Sequence, residues 1–125
     1  MKRSQTKKLP INKLKKKAWR LFSIHIRESS ADWRGNVQCY TCGKTLPWKK
    51  AHAGHFKHGK LDYDPRNVHV QCVGCNLYGR GRLDVYAMKL VDEYGADILK
   101  DLERDSEKIY TYEELEDIIK KYGKK

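Results

Sequence analysis

The chain has 125 residues, 39% of them hydrophobic and 34% charged, with a formal net charge of +11. That composition fits one small folded domain with a wet surface and argues against a disordered tract or a large core. No apolar run approaches the roughly 20 residues of a membrane-spanning helix. Met1-Lys-Arg runs into polar residues rather than the apolar stretch of a secretory signal, so the expectation is a protein with no membrane role in a reducing cytoplasm. The charge is one-sided: residues 1–60 carry 16 Lys and Arg against Glu28 and Asp32, whereas residues 61–125 carry 11 against 14 acids. Such a field favours a polyanion, because each neutralised phosphate releases condensed counterions. The plainer reading is a charge that serves solubility alone.

In chain order, residues 1–11 are Lys-rich and polar and are expected to form a flexible basic arm. Over 12–27 the spacing of Leu14, Ala18, Leu21, Phe22 and Ile26 predicts a helix with Asn12 as N-cap. Trp19 and Phe22 on it read as core residues rather than base-stacking ones. Residues 28–38 read as a loop, and Cys39-Tyr-Thr-Cys42-Gly43 as a tight knuckle. A strand over 50–56, a loop over 57–66 and a β-branched strand over 67–71 follow. Cys72-Val-Gly-Cys75 is the second knuckle, leading into a short helix at Asn76 that Gly79 and Gly81 break. Residues 84–94 read as a helix stopped by Gly95. A further segment holds Ile98, Leu99 and Leu102, and Thr111-Tyr-Glu-Glu114 is a capping box for a last helix. The organisation expected is the arm, a domain over 12–95 and a helical extension over 96–125.

Two Cys-x-x-Cys pairs are separated by the 29 residues from Gly43 to Gln71. Each tight turn offers two thiolates, and Cys39, Cys42, Cys72 and Cys75 together complete a tetrahedron around Zn²⁺. Two disulfides or free thiols are the alternatives. The intervening stretch has room for a β-hairpin whose ends the metal clamps, and in a small domain that clamp contributes folding free energy directly. Four thiolates leave no open position, so this zinc is structural rather than catalytic. The fold class expected is α+β, a zinc-braced hairpin core flanked by an N-terminal helix and C-terminal helices.

Between the pairs lie four of the five histidines, within 18 residues, in His52-Ala-Gly-His55-Phe-Lys-His58 and Asn67-Val-His69-Val-Gln-Cys72. Histidine is the usual general base near neutral pH and a common metal ligand. A lone histidine near a zinc site is also often a plain surface residue, the reading given to His58 and His25. A strand bearing His55, a second bearing Asn67 and His69, and a knuckle ending in Asn76 bring these side chains together. The order Cys-x-x-Cys, His-bearing strand, Asn, Cys-x-x-Cys-Asn resembles the HNH, or ββα-metal, nuclease motif. Its ending is similar to phage Holliday-junction resolvases of the endonuclease VII kind. More closely, His52-Ala-Gly-His55-Phe, Asn67-Val-His69-Val-Gln-Cys72-Val-Gly-Cys75-Asn76 and Tyr86…Leu90…Tyr94-Gly95 resemble the phage lambda NinG (Rap) recombination protein family.

The resemblance implies an HNH-like core and a structure-specific DNA endonuclease. It would cut branched recombination intermediates, Holliday junctions or D-loops, by phosphodiester hydrolysis with Mg²⁺ or Mn²⁺ at the scissile phosphate. It implies the cytoplasm of a bacterial host. It further implies His55 as general base, Asn67 as the residue that helps hold it, and Asn76 as a ligand of the catalytic metal. The sequence departs at Gly54, where the wider nuclease group often carries an acidic residue or a histidine that binds the metal. His69, two residues from Asn67 and so on the same strand face, is the first candidate to replace that ligand and is counted with the catalytic residues. His52 is the second, ahead of Asp62 and Asp64. Plainer roles stay open: structural histidines at 55 and 69, a turn residue at Asn67, a helix-starting residue at Asn76.

Lys13, Lys15, Lys16, Lys17 and Arg20 on the first helix are expected to hold phosphates without reading sequence. Lys49, Lys50, Lys57 and Lys60 flank the proposed active strand, and Arg80 and Arg82 follow the second knuckle. Paired cuts need two active sites, so a homodimer on branched DNA is implied, with the C-terminal helices as its contact or as intramolecular core. No small-molecule cofactor is expected. Two other functions fit: another HNH nicking or restriction endonuclease, and a non-catalytic zinc-braced DNA- or RNA-binding protein, for which Gly54 is the best argument.

Overall fold

The computed structural model describes residues 9–123, so the basic arm expected over 1–11 lies outside the described residues apart from its last three. Pro10, at φ −58° and ψ 147°, holds the chain extended and offers its carbonyl to the N–H groups of Lys13 and Leu14, both at 3.0 Å. Helix α1 (Ile11–Ser29) therefore starts ahead of Asn12, which lies inside the first turn instead of capping it. Leu14, Ala18, Phe22 and Ile26, four residues apart, form its buried stripe.

Strands β1 (Asn36–Gln38) and β2 (Thr45–Pro47) pair antiparallel, with Val37 opposite Leu46. The sequence reading has a loop at β1 and nothing at β2, because three-residue strands are too short to show alternation. The first knuckle shapes their tip: Cys39 N–H donates to Lys44 O at 2.8 Å, and Gly43 N–H to Cys39 O at 2.9 Å. Gly43 stands at φ +79°, in the left-handed region that glycine adopts without strain. Tyr40 N–H donates to Val70 O at 2.8 Å and ties this hairpin to the next.

A 3-10 turn takes up Trp48–Lys50, so strand β3 (His52–His55) starts two residues later than expected; its partner is β4 (Val68–Gln71). The antiparallel register sets His52 against Gln71, Ala53 against Val70, Gly54 against His69 and His55 against Val68. Directly opposed residues share a face and successive ones alternate. Ala53, Val68 and Val70 thus face α1, while His52, Gly54, His69 and Gln71 face the other way. The connection between the strands is closed by Asn67, which is fully buried. Its Nδ2 donates to the carbonyls of Lys57, Lys60 and Leu61 at 3.0–3.2 Å, and its Oδ1 accepts the Lys57 N–H at 2.8 Å.

After β4 the chain makes one π turn (Gly74–Tyr78), closed by Gly79 N–H to Gly74 O at 2.7 Å, where an ordinary short helix is expected. Arg80, Gly81 and Arg82 follow in left-handed conformations at φ 54°, 88° and 48°. Helix α2 (Leu83–Tyr94) stops at Gly95, φ 103°, as the sequence indicates, and α3 (Ile98–Asp105) follows. Helix α4 (Tyr112–Gly123) opens on the capping box: Thr111 N–H donates to Glu114 Oε1 at 2.9 Å and Glu114 N–H to Thr111 Oγ1 at 3.1 Å.

Two apolar clusters hold these elements. The larger joins the α1 stripe to Val37, Ala51, Ala53, Val68, Val70 and Leu115, so α4 lies in the same core as α1. The smaller joins Leu61 to Tyr86 and Leu90 of α2 and Ile98 and Leu102 of α3. The fold is α+β. No helix among the described residues is long and apolar enough to cross a membrane.

Candidate functional site

The two knuckles bring their cysteines to one point. The Sγ atoms of Cys39, Cys42, Cys72 and Cys75 lie within 4.8 Å of one another, with Cys42 and Cys72 at 3.8 Å. Four thiolates at about 2.3 Å from one Zn²⁺ stand about 3.8 Å apart, so the set fits that ion. A disulfide needs about 2.05 Å, and all four cysteines are free. Crowding unsettles the thiols: burial and its sulfur neighbours push Cys75 up to about 12. Burial also pushes Cys39 up, but the Thr41 hydroxyl and backbone N–H groups outweigh it and bring Cys39 down to about 6. A central cation removes this conflict by favouring the thiolate at every position.

Beside the cysteine cluster lies a polar cleft of about 540 Å³. His52 and His55 enter it from β3, His58 from the following loop, Asn76 from the π turn, Trp19, Ser23 and Arg27 from α1, and Lys49 from the 3-10 turn. No carboxylate among the described residues lines it. His55 is half-buried and stacks on Trp19, ring centroids 4.5 Å apart at 24°. Its Nε2 is buried 3.4 Å from Asp62 Oδ1, an electrostatic contact without hydrogen-bond geometry. Burial holds the His55 pKa below its ordinary value, with Asp62 pulling the other way and His58 adding to the depression. Neutral His55 is therefore the favoured form at pH 7. Asn76 Nδ2 donates to His52 Nδ1 at 3.0 Å.

His69 is not brought to this group. It shares a face of the hairpin with His52, but the register sets it further along, opposite Gly54 and against Tyr86 and Tyr94 of α2, away from the cleft. It lines a second cavity, of about 450 Å³, with Tyr40 and Glu93. Its ring stacks on Tyr40 at 4.0 Å, with Tyr86 Oη 3.1 Å from Nδ1 and Tyr94 Oη 3.1 Å from Nε2. Tyr86 donates its single proton to Gly54 O at 2.7 Å, so His69 Nδ1–H must donate to Tyr86 and Nε2 accept from Tyr94. No lone pair is left for a cation. Burial holds its pKa down to about 4, opposed by Glu93. Asn67 bonds the loop behind His55, not the imidazole, and Asp64 is paired with Arg66 at 2.7 Å.

Lys13, Lys15, Lys16, Lys17, Arg20, Lys49, Lys50, Lys60, Arg80 and Arg82 are exposed, while Lys57 is half-buried and paired with Glu103 at 2.7 Å. Sequence reasoning missed Arg27 and the part Trp19 plays. Both lie on the α1 face of Lys16, Arg20 and Ser23 at helical spacing, so periodicity could have found them. Gln71, buried behind the cleft, gave no signal beyond its place before Cys72.

A small α+β protein with a four-cysteine cluster that could hold a metal ion, beside a basic, histidine-lined cleft, is the class that this geometry defines. The chain belongs to the family described as the bacteriophage lambda NinG protein, whose pattern matches residues 1–125. It is 32% identical over 115 residues to the NinG protein of Escherichia phage 933W, covering 88% of this chain and 55% of that protein. It is 32% identical to the NinG protein of Salmonella phage P22 and 30% to that of Escherichia phage lambda, with 88% of this chain and 54% of each relative covered. The chain thus spans about half the length of these curated relatives. No solved structure matches it.

Proposed function

We infer that this phage protein is a metal-dependent endonuclease that cuts branched DNA, with an HNH-like site in the cleft beside the zinc cluster. The observation that carries the reading is the cleft itself, which gathers His55, His52 and Asn76 against Arg27 and Lys49. With Nε2 turned to Asp62, the His55 proton belongs on that nitrogen, and Nδ1 is the base that takes a proton from water. Trp19 fixes the imidazole plane from the other side. Arg27 and Lys49 hold the phosphate being cut, and the exposed row of Lys16 and Arg20 extends the grip along α1. Asn76 and its neighbours would hold Mg²⁺ or Mn²⁺, whose chemistry is charge stabilisation at the phosphate and the leaving oxygen.

The lack of a carboxylate in the cleft favours a second reading, a zinc-braced protein that binds nucleic acid without cutting it. The test compares a labelled four-way junction with a matched linear duplex, in Mg²⁺ or Mn²⁺ and then in EDTA. Metal-dependent cuts near the branch support the endonuclease. Equal cutting of both substrates points to an HNH nicking enzyme, and tight binding with no cutting under either metal points to the binding protein.

A further inference from the structure

Gln71 is fully buried at the end of β4. Its Nε2 donates to Gly81 O at 2.8 Å and to Thr41 Oγ1 at 3.1 Å. A main-chain carbonyl can only accept, so the amide cannot be turned the other way. The Oε1 is left facing away from both, buried and without a hydrogen-bond partner among the described residues. Buried polar atoms are almost always paired, and an orphan of this kind calls for a ligand or a role.

The orphan oxygen lies over Gly54. A Cβ added to Gly54 would come 1.9 Å from Gln71 Oε1 and 3.1 Å from Asn76 Oδ1, so the two oxygens are within about 5 Å of each other. One cation with bonds of roughly 2.0–2.6 Å spans such a gap. Asn76 is already turned for it, because its Nδ2 is engaged by His52 Nδ1 at 3.0 Å and its Oδ1 points elsewhere. His52 stands directly opposite Gln71 in the β register. The space in which a side chain at position 54 would begin is thus filled from the neighbouring strand by an amide oxygen. That explains both the glycine and the glutamine.

We propose that Gln71 supplies the oxygen ligand that Gly54 lacks, so that Gln71 Oε1 and Asn76 Oδ1 together hold a hard divalent cation, Mg²⁺ or Mn²⁺, entered from the cleft. Amide oxygens suit such ions rather than soft ones. Two neutral donors make a modest site, completed by water and a nucleic-acid phosphate. The assignment rests on the endonuclease reading for what the cation does there.

The test is Mn²⁺ titration of the zinc-loaded full chain, read as the electron paramagnetic resonance of free Mn²⁺, with zinc content and thermal melting as folding controls. Wild type should bind one Mn²⁺. Gln71→Met, which keeps the shape but removes the oxygen, should weaken binding by on the order of ten-fold or more while zinc stays bound. If Gln71→Met fails to fold, Gly54→Ala serves, since the added carbon pushes Oε1 aside while leaving the amide its donors. Gly54→Asp combined with Gln71→Ala should restore binding by returning a carboxylate to position 54. Wild-type Mn²⁺ affinity in folded Gln71→Met and Gly54→Ala, or no Mn²⁺ binding by wild type, would overturn the proposal. Mn²⁺ held through Gln71 by a protein that cuts no DNA would keep the ligand and remove the endonuclease; unchanged cutting by Gln71→Met would do the reverse.

Discussion

His55 sits between forces that act on its proton in opposite directions. Burial against Trp19 disfavours the charged imidazolium, and Asp62, 3.4 Å from Nε2, favours it; burial prevails. In an NMR titration His55 should therefore titrate below the ordinary value of about 6.5. Asp62→Asn, which removes the opposing charge, should move it lower still. On the endonuclease proposal, a His55 base that must be neutral should keep cleavage active below about pH 6.5, with the acid limb shifted further down in Asp62→Asn. The same depression sets the sign for stability. The unfolded chain takes the proton first, so the contribution of His55 is fully present above about pH 6.5 and is lost as pH falls through the folded value. A His55 that titrates above 6.5 in the folded protein would contradict this account. At this scale the sequence was only partly legible. His55 and Asn76 declare themselves by their places beside a strand and a knuckle. His69 misleads, because what takes it from the cleft is its packing against Tyr86 and Tyr94 of α2, a tertiary contact that strand spacing does not show. Gln71 is invisible until its amide is seen to be locked by Gly81.

Among the elements, the knuckles were the most legible, since two Cys-x-x-Cys turns admit few alternatives. The capping box of α4 and the glycine stop of α2 could be read for the same reason, each being a local rule with a named side chain. The β1–β2 hairpin could not, for its three-residue strands owe their pairing to the knuckle rather than to propensity. It follows that the metal and this hairpin are linked. Removing zinc with a strong chelator, or Cys72→Ser, should release the metal and broaden the amide resonances of 36–47 before those of α1. Retention of a full zinc equivalent in Cys72→Ser would count against the four-thiolate site. The C-terminal extension also has a defined place. Leu115 is fully buried among Leu14, Ala18 and Phe22, so Leu115→Ala should cost about 2–5 kcal/mol in denaturant unfolding. A cost within experimental error would mean that α4 is dispensable to the α1 core.

For the whole molecule, the asymmetry of charge acquires a direction. The basic residues of the N-terminal half are not spread evenly: Arg27 of α1 and Lys49 of the 3-10 turn both line the cleft, and Lys16 and Arg20 lie exposed on the same face of α1 as Arg27. Each neutralised phosphate contributes close to one unit to the salt dependence of binding. Arg27→Ala with Lys49→Ala should therefore lower the slope of log K against log salt by about 2, while weakening junction and duplex alike. An unchanged slope would move the nucleic acid to another face, such as the one bearing Arg80 and Arg82.

If His55 is the general base of this cleft, cleavage fails without it while binding persists. The most direct measurement sets wild type beside His55→Ala on one labelled four-way junction in Mn²⁺, with binding and cleavage recorded in the same samples and zinc content matched. Loss of cleavage by about 10²-fold or more at unchanged affinity is the predicted result, the scale expected of a general base. Equal cleavage by the two proteins, or none by wild type despite tight binding, would contradict it.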